Sequence, residues 1–141
     1  MDQITLLADK YNCDHAISIK QPWAWLIVNG IKDIENRNWY TSHLGLVFIH
    51  AARKFDQEGY DYVERSGLHH FDPSLRFDRG GIVGIAEIAA CTKFDDSDWF
   101  EGPYGFILHN PQPLPFTPSR GQLGIYNIHH PDINPFTNRR S

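Results

Sequence analysis

Apolar and polar positions along this chain come in short bursts, and the period switches repeatedly between helical and extended spacing. Ile4, Leu7, Ala8 and Tyr11 recur at helical intervals and predict an amphipathic helix over residues 2–11. Ile17 and Ile19 alternate with Ser18 and Lys20, which predicts a strand at 16–20. Pro22 is pre-organised to open a helix, and that helix runs to Asn29. Gly30 stops it, because the position past a helix end often needs positive φ. Strands are expected at 33–39 and 46–51, and a helix from about Phe55 to Arg65 ends at Gly67. A polar loop fills Leu68 to Gly81, and further strands are expected at 82–90, 104–109 and 124–129. The stretch Pro111 to Pro118 reads as a Pro-rich loop, and the tail from His130 to Ser141 as a loose arm. Many short strands with two or three helices suit a small β-barrel with helices at its ends.

A length of 141 residues predicts a single domain, 1–141, large enough for a real core. No apolar run approaches the roughly 20 residues that span a bilayer. The start Met1-Asp2-Gln3-Ile4 carries no basic stretch ahead of an apolar one, so a cytoplasmic location is the expectation. Cys13 and Cys91 are then expected as thiols. The histidine pairs His69-His70 and His129-His130 lack metal-ligand spacing, so neither a metal nor a cofactor is expected. His50 and His109 sit at strand ends and read as hydrogen-bonded residues near a cleft. A net charge of -4 argues against a broad basic footprint for duplex nucleic acid. Positive charge can still gather locally if Lys32, Arg37, Arg53, Lys54, Arg76, Arg79 and Arg120 converge.

The densest chemistry lies in Gly30-Ile31-Lys32-Asp33-Ile34-Glu35-Asn36-Arg37. On a strand, Glu35 and Arg37 share a face and can pair, while Lys32 sits at the helix-to-strand corner. An ammonium, a carboxylate and a guanidinium fork suit the polar edge of a heterocycle or a phosphate ester. Glu35 is expected to orient Lys32 or Arg37 by a salt bridge. Trp23 and Trp25 point in different directions on a helix, one to the core and one toward a cleft, with Trp23 the candidate for stacking on a base. Ser119 and Gln122 flank a turn at Gly121 and can present hydrogen-bonding groups. Glu87 is a lone carboxylate in an apolar run and needs a partner if buried; Lys32 is one candidate. Trp23, Lys32, Glu35, Arg37, Ser119 and Gln122 are expected to border one concavity at a barrel rim.

The motif block, with Ser18-Ile19-Lys20-Gln21-Pro22-Trp23-Ala24-Trp25 before it and Asn38-Trp39-Tyr40 after it, resembles the ASCH domain. This is the activating-signal-cointegrator homology family of the PUA-like superfamily, whose G-x-K-x-x-E-x-R pattern is met by Gly30, Lys32, Glu35 and Arg37. Trp99 to Phe106, Asn110 to Pro115 and Gly121-Gln122-Leu123-Gly124 continue the resemblance, which runs from about His15 to about Ile128. It implies an α+β fold, a small mixed PUA-like β-barrel flanked by two or three helices. It also implies binding of RNA, single-stranded nucleic acid or a modified nucleobase. The alternative is a hydrolase. A ribonuclease would use Lys32 as base or electrostatic group, aided by Ser119 or a tyrosine such as Tyr40 or Tyr104. An amidohydrolase acting on acetylated cytidine would pair the motif lysine with a threonine three residues on and a later glutamate. Glu87 matches that glutamate, but Glu35 stands in the threonine position and cannot supply a hydroxyl.

Overall fold

The computed structural model describes residues 2–129, and the tail expected to form an arm lies outside them. The elements in order are α1 (Gln3–Tyr11), β1 (His15–Gln21), α2 (Trp23–Val28), β2 (Ile34–Arg37), β3 (Gly45–Phe55), α3 (Gln57–Ser66), β4 (Gly81–Thr92), β5 (Tyr104–Pro118) and β6 (Ile125–Asn127). The fold is α+β, with three helices on a six-stranded sheet ordered β2-β5-β4-β3-β1-β6. β1 runs parallel to β3, and the other pairings are antiparallel. The apolar face of the sheet packs on α2 through Ile19, Ile49, Val83 and Phe106 against Ala24, Ile27 and Val28.

The sheet is not closed, so the term barrel holds only loosely: β2 and β6 are its two ends. β6 pairs with β1 only over His15–Ile17. Just beyond, the Ser18 carbonyl accepts a hydrogen bond of 2.9 Å from Arg37 Nη2 of β2. A motif side chain thus spans the gap where a barrel would carry backbone pairing.

The Pro-rich stretch is strand, not loop, as β5 continues through Pro118. β2 covers β5 only from Tyr104 to Ile107. Further along, β5 pairs with β4 alone, with Pro113 opposite Gly84 and Pro118 opposite Gly81. A proline on that uncovered side loses no ladder bond, which is why strand persists there.

Candidate functional site

α2 and the turn after it hold Lys32 in place. The Leu26 carbonyl accepts from both Ile31 N and Lys32 N, at 2.9 and 3.0 Å. Gly30 has φ +76°, the left-handed conformation the turn needs. Asp33 O then accepts from Leu108 N at 3.0 Å, which ties the motif to β5. Lys32 is consequently buried, only 4% exposed. Its ammonium donates to the Ile34 carbonyl, lies 3.5 Å from Glu35 Oε1 and sits over the Trp23 ring. Burial pushes the Lys32 ammonium below the ordinary lysine range; Glu35 and Glu101 act in the opposite direction, and Arg37 adds to the lowering.

Glu35 is buried and shared. Its Oε2 accepts from Arg37 Nε at 2.8 Å, while Oε1 faces Lys32. Arg37 in turn reaches the Ser18 carbonyl. Beyond it, Ser18 Oγ lies 2.9 Å from His50 Nδ1, and His50 Nε2 lies 2.9 Å from the Ser119 carbonyl. A carbonyl only accepts, so Nε2 carries the proton. Burial, with Arg53 in support, holds His50 below the ordinary histidine range, so the ring is neutral and Nδ1 accepts from the Ser18 hydroxyl. Gly121 lies so close that a Cβ there would stand 2.7 Å from His50 Cε1 and 2.9 Å from Ser18 Oγ.

The residues expected to share one concavity divide between two. Trp23, Lys32 and Glu35 line a cavity of about 210 Å³ that also takes in Tyr62, Asp98, Trp99 and Glu101. Arg37, Ser119 and Gln122 line an open groove of about 700 Å³ with Lys20, Arg53 and Arg120. The Glu35–Arg37 pair lies between them, so the single rim expected from the spacing is a continuous run of contacts with a different surface on each side. The cavity is rich in carboxylates, and the groove has arginines, a lysine and no acidic side chain. Of the cations expected to converge, Lys32 belongs to the cavity, Lys54 and Arg76 do not line the groove, and Arg79 donates to the Arg53 carbonyl. Ser119 Oγ is buried without a hydrogen-bond partner among the described residues.

Several supports were not visible in the sequence motif. Asp56 caps α3 through Gly59 N at 2.9 Å and accepts from Trp23 Nε1, also at 2.9 Å. A Cβ on Gly59 would lie 2.4 Å from Trp23 Cζ2, so only glycine lets α3 back the indole. Asn36 donates to the Trp99 carbonyl and accepts from Glu101 N and Gly102 N, which fixes the loop carrying Trp99 and Glu101. An Asp-x-x-Gly cap next to a tryptophan-bearing helix is a faint signal for the first of these; nothing in the spacing marks the second. Glu87 hydrogen-bonds Asn110 at 3.2 Å rather than pairing with Lys32. Trp25 turns to Phe71 and Phe77, leaving Trp23 at the cavity. Both cysteines are free, and the described residues hold no cluster of three or more candidate metal ligands.

The family model described as the ASCH domain matches residues 17–125, and the chain belongs to that family. Among curated proteins it is similar to activating signal cointegrator 1 of Homo sapiens, 31% identical in a 130-residue alignment covering 79% of this chain and 22% of that protein. The Mus musculus protein of the same name is 53% identical with the same coverage. The chain thus spans about a fifth of the length of these relatives. Among solved structures it is similar to ASCH from Zymomonas mobilis, at 20% identity and a TM-score of 0.44, covering 74% of this chain and 72% of that one. No helix among the described residues is long and apolar enough to cross a membrane.

Proposed function

We propose that this domain binds RNA as a single strand, with phosphates in the basic groove and a base in the tryptophan-walled cavity. The observation that carries this reading is the run of contacts from Lys32 through Glu35 and Arg37 to Ser18, His50 and Ser119, which joins the two surfaces. A base offers a flat face to the aromatic wall of Trp23, Tyr62 and Trp99 and polar edges to the cavity, whereas a phosphate needs guanidinium and ammonium donors. Lys20, Arg37, Arg53 and Arg120 gather such donors on the groove side. Family membership supports the same reading, since ASCH domains are PUA-like. Arg37 positions the groove more than it grips a ligand, as two of its nitrogens are already engaged.

A hydrolase is the second reading, supported by a lysine whose basicity burial lowers and by the unpartnered Ser119 hydroxyl. Against it, Lys32 and Ser119 line different cavities, so no single reacting atom meets both. The amidohydrolase variant is weaker still, because Glu35 is engaged by two cations and Glu87 by Asn110. The test is titration of a short fluorescent RNA by anisotropy, with the mixtures then analysed by mass spectrometry. Saturable binding that weakens several-fold in Arg53→Ala, with the RNA intact, is expected. RNA cleavage or nucleoside deacylation that needs Lys32 would replace binding with catalysis.

A further inference from the structure

The two surfaces differ in charge, and that difference names a ligand for the cavity. Three aromatic side chains, Trp23, Tyr62 and Trp99, contribute to its wall. Four carboxylates line it, from Glu35, Asp56, Asp98 and Glu101, against the single ammonium of Lys32. Glu35 and Asp56 are spoken for by Arg37, Lys32 and Trp23. The side chains of Asp98 and Glu101 make no hydrogen bond or ion pair among the described residues, and both are exposed at the cavity. A phosphate would be repelled here. A cation already lies over an aromatic wall of the same site: Lys32 Nζ stands 5.6 Å from the Trp23 ring centroid while almost wholly buried. The negative face of an indole attracts a cation that has lost water, and flanking carboxylates add to that attraction.

We propose that the cavity beside Lys32 selects a cationic nucleobase, one that base methylation has left positively charged at neutral pH. This deepens the single-strand reading and rests on it for the source of the ligand. A cavity of about 210 Å³ has room for a planar base rather than only a methylated ammonium. The basic groove next to it, across the Glu35–Arg37 pair, takes the attached phosphate. Stacking alone tolerates any base, because every base has a π face. The carboxylates add a preference for charge: the side chains of Asp98 and Glu101 hold no hydrogen bond or ion pair among the described residues, and Glu101 also acts on Lys32 through space.

Three nucleotides separate charge from shape: 1-methyladenosine 5′-monophosphate, cationic at neutral pH; N6-methyladenosine 5′-monophosphate, neutral with the same added methyl; and adenosine 5′-monophosphate. Calorimetric titration of the full chain is expected to show the first bound at least tenfold more tightly than the other two. Asp98→Asn with Glu101→Gln should remove most of that margin while circular dichroism shows the fold retained, and Trp99→Ala should weaken all three. Equal affinities, no binding of the cationic nucleotide, or equal gain from the N6-methyl compound would overturn the inference. So would a trimethyl-lysine peptide that binds more tightly than the cationic nucleotide. An unmodified oligoribonucleotide is titrated in parallel. If it binds through Arg53 while the three nucleotides do not differ, the cation preference fails and the single-strand reading stands. If the cationic nucleotide binds selectively and the oligonucleotide does not bind, the single-strand reading fails instead.

Discussion

Glu35 gives one oxygen to Lys32 and the other to Arg37, so the two partners are not equivalent when one is removed. In Lys32→Met, Glu35 keeps its 2.8 Å bond to Arg37, and an apolar chain of similar length fills the space. In Glu35→Ala, the Lys32 ammonium stays buried with a carbonyl and an indole face, its nearest carboxylate gone and only the more distant Glu101 left as counter-charge. Breaking a buried pair so that a charge is stranded costs about 3–5 kcal/mol, whereas apolar replacement is often close to neutral. Urea unfolding should therefore show Glu35→Ala far more destabilised than Lys32→Met, and the reverse order would refute the shared-carboxylate geometry. His50 supplies a second residue-scale test. Burial lowers its pKa below the ordinary histidine value of 6.5, so the unfolded chain takes up a proton first as pH falls. Stability from His50 is thus complete above about pH 6.5 and is lost as pH drops through the lowered folded value. His15 is lowered too, by burial and by His43, and has the same sign. His50→Gln should flatten part of the stability loss between neutral and mildly acid pH, measured by melting temperature; an unchanged profile would mean His50 is not held neutral by the fold.

The element scale shows what the pattern of residues could and could not convey. Alternating Ile17 and Ile19, the helical spacing of Ile4, Leu7, Ala8 and Tyr11, and the Gly30 and Gly67 stops placed α1, β1, α2 and α3 within a few residues. Local spacing also paired Glu35 with Arg37, because neighbours on one strand face are a short-range property. The course of β5 through its prolines was illegible, since it depends on how far β2 extends beside it. The split of the site was illegible for the same reason: Ser119 and Lys32 are brought near by strands far apart in sequence, and spacing does not say on which side of Arg37 each falls. Gly59 is the plainest case. In a helix, Gly→Ala ordinarily stabilises by up to about 1 kcal/mol. Here the added Cβ would meet the Trp23 ring at 2.4 Å and Asp56 Oδ2 at 2.7 Å. Gly59→Ala should instead destabilise by about 1–3 kcal/mol, the usual cost of overpacking, and should shift tryptophan fluorescence. A stabilised Gly59→Ala would show that α3 does not press on the indole.

For the whole molecule, net charge and local charge point in different directions. The chain carries -4 overall, yet one groove collects Lys20, Arg37, Arg53 and Arg120 without an acid. Those four side chains bound the number of phosphates the groove can neutralise. For a single strand the slope of log affinity against log salt is about -0.7 per phosphate, so it should be no steeper than about -3. A duplex laid across the protein would need contacts beyond the groove and would meet the carboxylates of the neighbouring cavity. The stacking contribution is insensitive to salt, so Trp23→Ala should lower the affinity for short RNA at every salt concentration while leaving the slope unchanged. Arg53→Ala should make the slope shallower by about 0.7. Neutralising Arg139 and Arg140, which lie outside the described residues, should matter less than Trp23→Ala. Anisotropy titrations at several salt concentrations, with single-stranded RNA and duplex DNA of equal length, measure all of these together. A slope much steeper than -3, tight duplex binding and indifference to Trp23 would place recognition on an extended backbone surface and remove the base from the cavity.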